Sequence, residues 1–208
     1  MKRVYFVRHG ETDANVHQRI PDHTEPLNGQ GIVQVEALAN RIKHLDIDKI
    51  ISSDFKRAFQ TAEAIASIRD LPVETNTVFR EIMEPSSMFG LFEYDTRAVQ
   101  YRQDRNENIE DVEWRQEDGE SLYDAFERTR TAQSFLEQNP AENILVVSHV
   151  FFLKMFAATV VLNVQTPTDT WLQTGKVLKV SNAGISFCTL NDKEWHILTW
   201  NDHAHFAE

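Results

Sequence analysis

The sequence predicts an α/β layer fold with a largely parallel sheet. Three observations carry this: short β-branched runs alternate with amphipathic helical patterns, the runs are apolar on both faces, and loop-forming residues separate them. Val4 to Val7 is the first run and reads as a central buried strand. Pro21 to Gly31 is loop-like, with Asn28 placed to cap a helix on which Ile32, Val35, Leu38, Ala39 and Ile42 recur at helical spacing. Ile47 to Ile51 is a second strand, and Phe55, Phe59, Ala62 and Ile65 mark the helix after it. Leu71 to Val73 starts a third strand.

The rhythm breaks at Ile82 to Asp118. This stretch is polar, with four Arg, no Lys and ten acids, and reads as a lid over the sheet. Alternation resumes with a helix carrying Leu122, Ala125, Phe126, Thr129, Ala132 and Phe135, then a strand at Ile144 to Val147. Ile144 to Leu162 is the most apolar region. Ser148, His149 and Lys154 interrupt it, so it reads as a buried strand running into a buried helix rather than a membrane span. Val177 to Val180, Ile185 to Leu190 and Trp195 to Trp200 read as three further strands.

The chain of 208 residues suits one domain, with an apolar fraction of 41% and a charged fraction of 25%. Its net charge of −11 argues against a general nucleic-acid binder and against docking on anionic membranes, and leaves room for one small anion pocket. Cys188 stands alone, which suits a reducing compartment, and the N-terminal apolar run is too short for a secretory signal. A cytoplasmic location is the expectation.

Arg8-His9-Gly10-Glu11 directly follows the first strand, where ligands gather in open α/β sheets. Arg offers a fork for phosphate oxygens, neutral His is a nucleophile for phosphorus, and Gly lets the backbone approach a ligand. Arg57 and Ser148-His149 fall near the ends of two other strands, and parallel strands bring such ends to one edge. Singly, His149 reads equally well as a core histidine and Arg57 as a solvated helix residue. Their coincidence with Arg8-His9 favours a site.

These residues, together with Thr12, Asn15, Pro26-Leu27, Gly31, Ser53 to Arg57, Thr61-Ala62, Gly119-Glu120-Ser121, Val147, Asn201 and His205, resemble the histidine phosphatase (phosphoglycerate mutase-like) superfamily over nearly the full chain. The resemblance implies a single domain over 1–208. Its fold would be a three-layer α/β/α sandwich with a mostly parallel central sheet and an inserted, largely helical cap at about 82–118. It implies that His9 is phosphorylated, that Arg8, Arg57 and His149 cradle the phosphoryl group, and that Asn15 adds a phosphate contact. It places the general acid at Glu81, with Glu84 as the rival. No metal and no organic cofactor are expected, since two Arg and a protonated His supply the charge that phosphoryl transfer needs.

Three departures from the family pattern stand out: Val150 follows the second His where Gly is frequent, Pro85 to Gly90 replaces the usual segment after the acid, and the longer insertions of true mutases are missing. His203 and His205 sit at strand-like spacing with no further metal ligands evident, and His205 fits the family's closing pattern. The expected activity is hydrolysis of small phosphate monoesters. Mutase-type transfer and a non-catalytic phospholigand-binding role are the alternatives. The segment 82–118 carries a net −6, and on the expectation that this charge faces incoming substrate, a neutral, apolar or cationic remainder is favoured, touched by Met88, Phe89, Leu91 and Phe92.

Overall fold

Runs that are apolar at every position have to be covered on both sides, and the two strongest runs of this chain lie at the centre of its sheet. The computed structural model describes residues 1–162 and 177–206. In chain order its strands are β1 (Lys2–Arg8), β2 (Lys49–Ser52), β3 (Val73–Thr75), β4 (Asn143–Ser148), β5 (Ile185–Asn191) and β6 (Glu194–Asp202). Its helices are α1 (Asp13–His17), α2 (Gly29–Ile42), α3 (Lys56–Arg69), α4 (Thr96–Glu107), α5 (Leu122–Gln138) and α6 (Val150–Leu162). The six strands are ordered β3-β2-β4-β1-β5-β6. β3, β2, β4 and β1 are mutually parallel, and β5 runs antiparallel to both of its neighbours.

Side-chain alternation along β1 and β4 builds two cores. Val4, Phe6, Ile144 and Val146 meet Phe152 and Phe156 of α6 and Leu136 of α5. Val7, Leu145 and Val147 face the other way, onto Leu38 and Ile42 of α2 and Ala58, Ala62 and Ile65 of α3. The result is a helix–sheet–helix sandwich. Full burial of each such large aliphatic or aromatic side chain contributes about 1.5–3 kcal/mol.

Local signals fix the helix starts. The Asn28 side chain accepts the Gly31 N–H at 2.7 Å and opens α2. Ser121 and Asp124 form a reciprocal capping box that opens α5. Thr12 and Asn15 form another at α1, a short helix that hydrophobic spacing did not reveal.

The structure corrects one strand. Val177 to Val180 is a turn and extended loop outside the sheet; Val177 is exposed, Val180 is buried, and the Val180 carbonyl is taken by Arg8. The segment 82–118 contains α4 and a single 3-10 turn at Ser86–Met88. It is tied to the loop after α1: Ile20 packs with Met88, Ala98 and Tyr101, and exchanges backbone hydrogen bonds with Gly90 and Leu91. Among the described residues, no helix is long and apolar enough to cross a membrane.

Candidate active site

Parallel pairing of β1, β4 and β2 brings three strand ends to one edge, and each delivers part of a buried cluster. His9 follows β1, His149 follows β4, and Arg57 lies in the first turn of α3 after β2. All three are buried, and the His9 and His149 ring centres are 5.1 Å apart. Gly10 permits the approach of α2: a Cβ there would stand 2.8 Å from the Gly31 carbonyl oxygen and from Val35 Cγ2.

The hydrogen bonds of His9 define its tautomer. Nδ1 lies 2.7 Å from the Gly10 carbonyl, which can only accept, so Nδ1 carries the proton. Nε2 accepts from Arg57 Nε at 3.3 Å and is therefore the unprotonated nitrogen. Burial, with Arg57 and Arg8 adding repulsion, holds the imidazole well below its usual 6.5. The Asn182 amide donates to the His9 carbonyl at 3.0 Å and to Asn15 Oδ1 at 3.1 Å. Asn15 also caps Thr12, whose N–H donates to Oδ1 at 3.2 Å. Asn182 was not singled out by its sequence, since an asparagine in a polar loop has no distinguishing periodicity. Asn201 holds that loop from β6 by accepting the Ser181 N–H at 2.6 Å.

His149 Nε2 is 2.8 Å from Ser53 Oγ, while its Nδ1 is buried without a hydrogen-bond partner. Burial, then Arg57, His9 and Arg8, push its pKa well below 6.5. Arg57 stays cationic despite desolvation that brings it down to about 10; its Nη1 donates to the Asp22 carbonyl at 2.8 Å and its guanidinium lies over Phe55. Arg8 donates to the Val180 carbonyl at 2.7 Å, and its Nε is buried and unpartnered.

Glu81 sits against the start of α6. Its Oε1 accepts from Phe151 N–H at 2.9 Å and Phe152 N–H at 3.3 Å. Burial pushes its carboxyl above the usual 4.5, against the pull of Arg57 and Arg8. A clamp from α5 fixes its backbone. Arg128 donates to the Val78, Arg80 and Glu81 carbonyls at 3.2, 2.7 and 3.2 Å, and binds Glu120 with two hydrogen bonds of 2.8 and 2.7 Å. Glu120 in turn accepts the Met83 N–H. Glu84 points elsewhere in its hydrogen bonding, pairing with Arg105 at 3.4 Å. The structure thus gathers Arg8, His9, Arg57, Glu81 and His149, sets Asn15 beside His9 through Asn182, and keeps Glu84 at the wall.

A cavity of about 210 Å³ opens beside Arg57 and Glu81. Val150 begins α6 immediately after His149 and forms part of its wall. Of the four apolar residues expected there, only Phe89 lines it. Met88 is buried in the segment's own core, Leu91 packs against that core, and Phe92 is exposed and stacked on Tyr94. The charge expectation is also corrected. Seven of the ten acids of 82–118 are exposed, and Glu84 is the one that lines the cavity. Local partners take up the segment's charges: Arg97 pairs with Asp95, Arg105 with Glu84 and Arg115 with Asp124, while Asp104 accepts from Gln100 and Asp118 from the Ser86 N–H. Among the described residues, no three His, Cys, Asp or Glu side chains are grouped to hold a metal; His203 binds the Asn201 carbonyl and the His205 ring lies tilted against Phe206.

Residues 4–203 match the family model of the histidine phosphatase superfamily (branch 1). A probable phosphoglycerate mutase, GpmB, from Escherichia fergusonii is 30% identical, with 96% of this chain and 90% of that one covered. A putative alpha-ribazole-5'-P phosphatase from Escherichia coli superposes with a TM-score of 0.83 at 24% identity, covering 97% of each chain. A phosphoserine phosphatase from Entamoeba histolytica superposes with a TM-score of 0.79 at 24% identity over 99% of each. The fold and the clustered strand-end residues thus define a histidine phosphatase-type enzyme. The chain belongs to the histidine phosphatase superfamily, branch 1, with relatives and structural neighbours named both as mutases and as phosphatases.

Proposed function

We propose that the protein hydrolyses small phosphate monoesters through a phosphohistidine at His9, without a metal. The observation that carries this reading is the tautomer of His9: the proton is on Nδ1, and the Nε2 lone pair is unprotonated beside a guanidinium. In the first step Nε2 attacks phosphorus, the bond to the leaving oxygen breaks, and Glu81 gives its proton to that oxygen. In the second step Glu81, now a carboxylate, takes a proton from water. The water oxygen attacks phosphorus, the P–N bond breaks, and inorganic phosphate leaves.

Arg8, Arg57 and His149 neutralise the equatorial oxygens, and Asn15 adds a contact. Leaving a buried polar nitrogen such as Arg8 Nε or His149 Nδ1 unsatisfied costs about 1–3 kcal/mol, and a phosphoryl oxygen within reach would relieve it. A phosphate dianion would also raise His149, now depressed by cationic neighbours, towards its protonated form. Raised by burial, Glu81 is suited to hold the proton it must give. The segment 82–118 acts as the cap. The intact set of five residues counts against a purely ligand-binding role. A cytoplasmic location accords with Cys188, a single buried thiol pushed up to about 12.

The relatives named as probable phosphoglycerate mutases support the second reading, transfer back to substrate. The test is to incubate the enzyme with 3-phosphoglycerate and a 2,3-bisphosphoglycerate primer, and separately with p-nitrophenyl phosphate, with and without chelator. Phosphate release that outpaces isomer interconversion and resists chelation is expected. Interconversion outpacing release establishes the mutase, and chelator loss restored by a divalent ion overturns the metal-free reading.

A further inference from the structure

We infer that the substrate's leaving group is uncharged and apolar, about the size of one ring, and occupies the cavity between Glu81 and Phe89. This rests on the phosphatase reading above. The general acid must touch the leaving oxygen, so the space onto which Glu81 opens is where the rest of the substrate lies. Arg57 closes the phosphoryl end of that space. Beyond it the walls are Ile20, Phe55, Met83, Phe89 and Phe151, supplied by the loop after α1, the loop before α3, the cap and the start of α6.

The charges on the walls decide what kind of remainder fits. Four ionisable side chains other than Glu81 line the cavity: Asp22, His23, Arg57 and Glu84. Arg57 is committed to His9 and the phosphoryl position. His23 is at the exposed rim. The Asp22 carboxylate is turned back on its own loop, accepting from the N–H and hydroxyl of Thr24. Glu84 pairs through Oε1 with Arg105 at 3.4 Å, whose guanidinium also lies over Tyr101, while its Oε2 is buried without a hydrogen-bond partner. A second anion, such as the carboxylate of a phosphoglycerate, would leave water for aromatic and aliphatic side chains beside two carboxylates, which is unfavourable without its own cation. An ammonium would give up its water for one buried carboxylate oxygen, Glu84 Oε2, on a carboxylate already paired with Arg105 through Oε1. An apolar remainder meets neither obstacle.

The volume agrees. An apolar cavity of ~150 Å³ accepts one benzene ring, and this one is about 210 Å³. One ring with its linking carbon therefore fits, in contact with Phe89 and Phe151.

The experiment compares kcat/KM for benzyl phosphate, glycerol 3-phosphate, phosphoethanolamine and 3-phosphoglycerate at fixed ionic strength. All four release alkyl oxygens, so their differences report the pocket more than leaving-group chemistry. Benzyl phosphate is expected to lead the other three by about tenfold or more, from the added apolar contact. In Phe89→Ala, and separately in Met83→Ala, the ratio of benzyl to glycerol phosphate is expected to fall by about threefold to tenfold as that contact is lost. Two variants are used because Phe89 also packs within the cap. Equal or better turnover of any of the three polar esters, or a ratio unmoved in both variants, overturns the inference. If none of the esters is turned over, the hydrolase reading fails. The pocket is then judged by calorimetric binding of benzyl phosphate against 3-phosphoglycerate to the His9→Ala variant, where tighter benzyl phosphate supports the inference and the reverse refutes it.

Discussion

Replacing Arg128 by Met removes a guanidinium that holds the backbone of Glu81 in place. The side chain makes five hydrogen bonds: three to the carbonyls of Val78, Arg80 and Glu81, and two to the Glu120 carboxylate. Met fills similar volume and satisfies none of them. Breaking a buried ion pair by removing one partner costs about 3–5 kcal/mol. Here the two side chains retain 17% and 12% exposure, so water compensates part, and about 2–3 kcal/mol is expected. Urea unfolding measures this directly. Arg128→Lys is expected to recover little, because an ammonium is a point donor and cannot reproduce the fork. Adding Glu120→Leu to Arg128→Met is expected to restore part of the loss by removing the stranded carboxylate. Under conditions where the variant is fully folded, a loosened Glu81 is expected to slow alkyl esters more than p-nitrophenyl phosphate, which needs little protonation of its leaving group. A stability change under about 0.5 kcal/mol, the usual range for a surface substitution, together with an unchanged alkyl-to-aryl rate ratio would refute the positioning argument.

Glu81→Gln is expected to slow single-turnover phosphorylation by an alkyl ester far more than by p-nitrophenyl phosphate, while Glu84→Gln changes both little; equal slowing for both esters, or a larger effect at Glu84, reverses the assignment. The pH profile of kcat/KM follows from two opposite shifts. His9 attacks only when unprotonated, and it is held well below 6.5, so His9 is expected to add no acid limb at 6.5 and to cut activity only at lower pH. Glu81 gives a proton only when protonated, and burial raises it above 4.5, so alkyl-ester activity is expected to decline as pH rises through that raised value, with a shallower limb for p-nitrophenyl phosphate. An acid limb centred at 6.5 in kcat at saturating substrate, where the free ester's own second ionisation at about 6 does not enter, would show that His9 is not held as described.

The sheet's centre was legible because β1, β2 and β4 are covered on both faces, which leaves unbroken apolar runs. α2, α3 and α5 were legible because each buries one face only, and Asn28 announced its cap. Val177 to Val180 misled for a related reason: an apolar run records burial, and Val180 is buried in the core that includes Phe152 and Phe156 rather than by sheet pairing. The cluster of Arg8, His9, Arg57 and His149 was legible through positions at strand ends, which parallel pairing makes coincide. Asn182 was not, since its role depends on a turn held by Asn201 from another strand. Glu120 appeared only as part of a motif and Arg128 as one more helix charge, because sequence spacing does not reveal that the two meet on the loop of Glu81. The direction of the acids of 82–118 was misread because net charge says nothing about which face of a segment bears it.

The proposal turns on whether His9 becomes phosphorylated, and trapping the intermediate tests this most directly. The enzyme is mixed briefly with a 32P-labelled phosphate ester, quenched in base, and its label followed in acid and in alkali. Phosphate on nitrogen is labile in acid and survives base, so label that persists in alkali, is lost in acid, maps to His9 and is missing from His9→Ala along with turnover is the expected result. Label that survives acid, or that remains in His9→Ala, would contradict a phosphohistidine at this position.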